Sequence, residues 1–131
     1  MVSSEKSSAH PTILIAEDDV GLRDIVAEIL ESSGYDVVAA DDGRQALDYL
    51  ASAARAPAAV LLDLMMPVAS GWDCLDALRA DDRLWSIPVV VMSELDEAPI
   101  GADLFLKKPF RIDELLATID HFALRRRDDE R

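Results

Sequence analysis

Cysteine is nearly absent from this chain: Cys74 stands alone, so no disulfide can form within it. A lone thiol is compatible with a reducing compartment, and a cytoplasmic location is expected. Basic residues are scarce, 13 Lys and Arg against 26 Asp and Glu, which leaves a formal net charge of −13. Proteins that grip a nucleic-acid backbone do so with clustered Lys and Arg. The one basic run here, Arg125-Arg126-Arg127, is followed at once by Asp128-Asp129-Glu130. That balance argues against nucleic acid as a partner. No apolar run approaches the roughly 20 residues of a membrane span, so no membrane partner is expected. The residues before Thr12 carry Ser, Glu, Lys and His instead of the apolar core of a secretory signal. A glycine-rich phosphate loop is missing too, which removes the usual ground for a nucleotide-binding reading.

What is present is enough for a single packed domain. The chain has 131 residues, half of them hydrophobic, and needs neither disulfide nor structural metal to hold a core. Residues 1–11 read as a flexible leader, 12–124 as the globular unit and 125–131 as a charged tail. Within the unit, short apolar runs alternate with helical spacing. Ile13-Leu14-Ile15-Ala16, Tyr35 to Ala40, Ala58 to Leu62, Val89-Val90-Val91-Met92 and Leu104-Phe105-Leu106 read as strands. Between them Leu22, Ile25, Val26, Ile29 and Leu30 recur at helical spacing, as do Ala46, Leu47 and Leu50, then Leu75 and Leu78, and finally Ile112, Leu115, Leu116 and Ile119. Repeated βα units imply a parallel sheet with helices on both faces. The rhythm fails once: residues 94–101, with Pro99 and Gly101, leave room for one helical turn at most.

Polar groups stand where the apolar runs end. Glu17 and Asp18 follow the first run, Asp63 closes the third, Ser93 follows the fourth and Lys108 comes just after the fifth. In an open parallel sheet, groups past the carboxyl ends of the strands converge on one crevice. Crowded carboxylates resist joint ionisation unless a cation neutralises them, and oxygen ligands of this kind suit Mg²⁺. Acids at a helix start also have an ordinary explanation, as caps and dipole partners. Asp63 is harder to explain away, because an acid ending an apolar strand needs a partner, and a carboxylate can serve as a nucleophile toward phosphoryl groups. Lys108 offers a compact cation, and the Lys108–Pro109 bond is one where a cis peptide can occur. Ser93 can donate to a phosphoryl oxygen or simply cap the next segment.

Together, Ile-Leu-Ile-Ala-Glu-Asp-Asp, Leu-Leu-Asp-Leu-Met-Met-Pro, Pro-Val-Val-Val-Met-Ser and Phe-Leu-Lys-Lys-Pro-Phe resemble the receiver domain of two-component response regulators, the chemotaxis-regulator-like, flavodoxin-like fold. The resemblance spans about Thr12 to Leu124 and implies a five-stranded doubly wound parallel sheet in the order 2-1-3-4-5. It implies that Asp63 accepts a phosphoryl group from a histidine kinase or phosphotransfer protein. Asp18 and Asp63 would hold Mg²⁺ directly, Glu17 through water, and the Met65 main-chain carbonyl would complete the protein's share. Ser93 matches the switch hydroxyl. Lys108, the residue directly before Pro109, matches the phosphoryl-contacting lysine. Phe105 matches the switch aromatic, although a core role explains it equally well. Met65 and Leu95 hold the positions that tune phosphoryl lifetime; both are apolar, so slow dephosphorylation is expected.

The sequence departs from the family in two places. The stretch from Ser93 to Lys108 is shorter, so the fourth helix is shortened or absent. Glu94 stands where a small residue is usual, and a carboxylate there would repel a phosphoryl group unless it faced solvent. The leading expectation is a stand-alone switch, monomer or weak dimer, that acts through protein contacts and is no enzyme beyond its own phosphorylation and dephosphorylation. The alternative is a degenerate receiver that binds partners without taking phosphate. A phosphohydrolase with an aspartate nucleophile needs an acid two residues after the nucleophile; Val20 and Met65 hold those places.

Overall fold

The computed structural model describes residues 10–129. Strands β1 (Thr12–Ala16), β2 (Asp36–Ala40), β3 (Ala59–Asp63), β4 (Val89–Ser93) and β5 (Leu104–Lys107) form one sheet in the order β2-β1-β3-β4-β5. Every neighbouring pair is parallel. Helices α1 (Val20–Ser32), α2 (Gly43–Ser52), α3 (Gly71–Ala80) and α4 (Ile112–Asp129) supply the crossovers and the final layer.

The period-two alternation of the central strands builds two separate cores. Leu14, Ala16, Val60, Leu62, Val89 and Val91 meet Ala46 and Leu50 of α2 and Cys74, Leu75 and Leu78 of α3. Ile13, Ile15, Ala59, Leu61, Val90 and Met92 meet Val26 and Leu30 of α1 and Leu115, Ile119 and Ala123 of α4. Each of the first three helices starts on a side-chain cap. Asp19 accepts from the Leu22 amide at 3.1 Å, Asp42 from the Gln45 amide at 2.9 Å, and Ser70 from the Asp73 amide at 3.2 Å. Ser70 and Asp73 form a reciprocal capping box.

The observed boundaries differ from the sequence expectation in a few places. β2 begins at Asp36, not Tyr35, because the Tyr35 amide closes the α1 turn onto the Leu30 carbonyl at 3.1 Å. The Tyr35 ring is buried, and its hydroxyl donates to the Asp120 carboxylate. β3 begins at Ala59 and takes in Asp63 itself. β5, whose apolar run reads like those of the central strands, is an edge strand with one neighbour, and Leu104 is exposed. The leader assigned to residues 1–11 lies outside the described residues up to position 9. Helix α4 continues through residues 125–129, where a tail was expected, and residues 130 and 131 lie outside the described range.

No helix forms between β4 and β5. Arg79, in the last turn of α3, closes over the shortened crossover instead. Its Nε donates to the Gly101 carbonyl at 2.9 Å and its Nη2 to Asp103 Oδ2 at 2.8 Å. Its Nη1 donates to the Trp85 and Ile87 carbonyls at 2.7 and 2.9 Å. Asp103 Oδ2 also accepts from the Val89 amide at 2.7 Å. One guanidinium thus ties α3, the turn after it, the crossover and the start of β4 together. Its planar fork of donors is suited to that task. Among the described residues no helix is long and apolar enough to cross a membrane.

Candidate functional site

The sheet order places the ends of β1, β3 and β4 side by side, so the residues that close these strands meet at one edge. Three polar side chains among the described residues are buried, and all three are here: Glu17 is 1% exposed, Asp63 4% and Ser93 1%. Burying charge is costly unless it is paired, so their partners decide what the site can do.

Lys108 is the partner of both acids. Its Nζ donates to Glu17 Oε1 at 2.8 Å and lies 3.6 Å from Asp63 Oδ1. Its own amide donates to the Ser93 carbonyl at 2.8 Å, which joins the ends of β4 and β5. The following bond to Pro109 is cis. The neighbouring Lys107 turns away, to the Asp96 carboxylate and the Glu94 carbonyl. The resemblance had selected Lys108 over Lys107, and the geometry brings Lys108 to the acids.

Asp63 Oδ1 accepts from the Met65 amide at 3.3 Å, and Glu17 Oε2 from the Asp19 amide at 3.2 Å. Arg23 adds a donor to the Glu17 carbonyl at 3.1 Å and pairs with Asp41 at 2.5 Å. Asp18 is exposed, yet one carboxylate oxygen from each of Glu17, Asp18 and Asp63 lies within 4.8 Å of the others. Burial, together with the Glu17 charge, pushes the Asp63 carboxyl up to about 7, and Lys108 restrains the rise. Burial works against the Lys108 cation, but the hydrogen bond to Glu17 and the charges of Asp63 and Glu17 outweigh it and raise its pKa.

Three carboxylates against one ammonium leave the site with excess negative charge and hard oxygen donors. That donor set fits Mg²⁺. The grouping of the three carboxylates within 4.8 Å, two of them buried, leaves room for a further cation to offset their charge.

Ser93 Oγ accepts from the Leu95 amide at 3.0 Å, so its hydroxyl proton is left to donate elsewhere. Phe105 is half-buried against the core shared with α2 and α3. Glu94 is exposed, so its carboxylate does not oppose an incoming anion from within the site. Met65 and Leu95 are exposed as well. Sequence reasoning did not find Arg23 or the backbone contacts of Gly43 and Gly71 described below, because none of them ends a strand.

Removing Lys108 strips two buried carboxylates of their cation. Lys108→Ala is expected to lower unfolding stability by about 2–3 kcal/mol without Mg²⁺ at pH 7.5, with partial recovery when Mg²⁺ is added. Denaturant titrations with and without the ion check this, and an unchanged midpoint would mean the two acids are held by other groups.

A family model described as response regulator receiver domain matches residues 13–120. The chain is 39% identical over 128 residues to the DNA-binding dual master transcriptional regulator RpaA of Synechocystis, covering 91% of this chain and 51% of that protein. It is 41% identical over 114 residues to the transcriptional regulatory protein CpxR of Escherichia coli, covering 82% of this chain and 47% of that one. The chain therefore spans about half the length of the curated relatives it matches. Among solved structures, the Francisella response regulator 1452 receiver domain superposes with a TM-score of 0.80 at 30% identity, covering 88% of this chain and 98% of that one. The expectation that nucleic acid is no partner finds no support in these relatives, since RpaA is named as DNA-binding.

Proposed function

Because this chain belongs to the response regulator receiver domain family of two-component systems, we propose that it is a phosphoacceptor switch in which Asp63 takes a phosphoryl group from a histidine kinase or phosphotransfer protein. The observation that carries the reading is the placement of Lys108 Nζ between two buried carboxylates, 2.8 Å from Glu17 and 3.6 Å from Asp63. Glu17 holds the ammonium by a hydrogen bond, within ion-pair distance of the acceptor.

An Asp63 carboxylate oxygen forms the bond to phosphorus while the phosphorus–nitrogen bond to the donor's imidazole breaks, and the electron pair leaves on nitrogen. Bound Mg²⁺, held by Asp18, Asp63 and the Met65 carbonyl with Glu17 behind, would neutralise the phosphoryl oxygens during this transfer. Lys108 then shifts its hydrogen bond from Glu17 to a phosphoryl oxygen, and the Ser93 hydroxyl donates to another. Phe105, one strand over, is the aromatic whose packing would respond. The new charge favours the conformation in which these groups close on it, a population shift that a partner reads.

The chemistry stops at Mg²⁺-dependent self-phosphorylation and slow release of phosphate, because Met65 and Leu95 carry no group to orient a hydrolytic water. The setting we propose is cytoplasmic. Transcriptional control, which the names of RpaA and CpxR state for those proteins, is one output that such a switch serves. The other reading, a module that binds without phosphorylation, draws its case from the missing helix, while the exposure of Glu94 removes its second argument.

The test is intact mass after incubation with a small-molecule phosphodonor and Mg²⁺, wild type beside Asp63→Asn. Wild type is expected to gain one phosphoryl group and Asp63→Asn none. Failure of wild type to gain mass while still binding Mg²⁺ would establish the phosphorylation-independent module.

A further inference from the structure

Two glycines far apart in sequence press against the chain that follows Asp63. Gly71 opens α3, and its amide donates to the Leu64 carbonyl at 3.0 Å. A Cβ at position 71 would lie 2.3 Å from the Asp63 carbonyl oxygen and 2.6 Å from the Leu64 Cα. Gly43 opens α2, and a Cβ there would lie 1.9 Å from the Ala69 carbonyl oxygen and 2.6 Å from the Ala69 carbonyl carbon. Both obstacles are backbone, so neither position accepts a side chain unless the loop moves. The Gly43 carbonyl is itself held, accepting from Cys74 Sγ at 3.4 Å.

Between these two contacts the loop is under strain. The Ala69 amide donates to the Pro67 carbonyl at 2.8 Å across Val68, whose φ is +68°. This is a γ-turn with a β-branched residue in the left-handed region, a conformation that persists only where the surroundings impose it. Val68 is 80% exposed, so burial of its own side chain does little to impose the turn. The imposing contacts are Gly43 on Ala69 at one end and Gly71 on Asp63 and Leu64 at the other. The first residue of the strained loop to face the site is Met65, whose amide orients the Asp63 carboxylate.

We infer that Gly43 is a positioning residue for the metal and phosphoryl site: by its close approach to Ala69 it fixes the loop of residues 64–70, and through Met65 the carboxylate of Asp63. The inference rests on the reading of Asp63 as acceptor. Its consequence is that a residue on α2, which touches neither ion nor phosphoryl group, sets the affinity for both.

A methyl group at position 43 displaces Ala69 and pulls the loop away from its strained course. Gly43→Ala is expected to weaken Mg²⁺ binding about 10-fold or more, the scale seen when supporting contacts of metal ligands are lost. Phosphoryl uptake from a small-molecule donor should slow alongside. The double variant Gly43→Ala/Val68→Gly lets the loop yield without strain, so it is expected to recover the melting temperature of wild type but not its Mg²⁺ affinity. Gly34→Ala is the control: Gly34 has φ +99° and open space around it, far from the site in the turn before β2. It should lose stability through backbone strain and keep wild-type Mg²⁺ affinity.

Calorimetric Mg²⁺ titration, with the fluorescence of Trp72 and Trp85 as a second readout, gives the affinities; thermal unfolding gives the stabilities. Wild-type Mg²⁺ affinity in Gly43→Ala or in the double variant overturns the inference. Weakened affinity in both, with the control unchanged, supports it even if wild type takes no phosphoryl group, an outcome that would instead sink the acceptor role of Asp63.

Discussion

Asp63→Asn is expected to make the metal-free domain more stable, and increasingly so as the pH rises. The folded carboxyl has its pKa raised from 3.8 to about 7, mainly by burial and by the Glu17 charge. Between these values the folded chain holds a proton that the unfolded chain has lost. Stability therefore falls as pH rises from about 4 to about 7, and above that the full cost of a buried, repelled carboxylate is present. Asparagine carries no such charge. The gap between variant and wild type should open across that window and level off above it at the order of 2–4 kcal/mol. Saturating Mg²⁺ should narrow the gap by stabilising wild type alone. Unfolding curves at a series of pH values, with chelator and with Mg²⁺, read this directly; a gap that is independent of pH would mean Asp63 is already neutralised by Lys108.

The second large effect is expected at Arg79. Arg79→Ala removes donors to the Gly101, Trp85 and Ile87 carbonyls and to Asp103. A loss of about 2–4 kcal/mol is expected, or about 10 °C in melting temperature, because several acceptors lose their partner together. Arg79→Lys should recover little, since an ammonium cannot reach four acceptors with one planar fork. The site at the opposite ends of the strands is untouched, so phosphoryl uptake by Arg79→Ala below its melting temperature should match wild type. Thermal unfolding and intact mass on the same samples check both halves.

The strands and their closing polar groups were legible because each depends on a local run: apolar residues in unbroken series, then Glu17, Asp63, Ser93 or Lys108. Strand order was not legible from periodicity and came with the family resemblance. The exposure of β5 follows from its place at the end of that order, which no property of Leu104 itself announces. Tyr35 looked like strand by composition, yet its amide serves the end of α1 and its ring serves the core. Gly43 and Arg79 were invisible for a different reason. Their roles consist of backbone approaches and carbonyl contacts beyond the reach of one helical turn, from Gly43 to Ala69 and from Arg79 to residues 6 to 24 positions away, and such contacts leave no pattern in the residues nearby.

The missing helix has a mechanical side. Ten residues, 94–103, must return the chain from the end of β4 to the start of β5, past a strand of five residues. That distance is about 17 Å, against about 35 Å for ten residues drawn out fully. Arg79 fastens Gly101 and Asp103, so the free tether is shorter still. The chain is about twice as long as the gap it spans, and the anchor takes up part of that excess. Of the ten residues, the last three lie at or beyond the first of these anchors, so the stretch left to adjust to a displacement of Ser93 is residues 94–100, at the end of the strands away from the anchor.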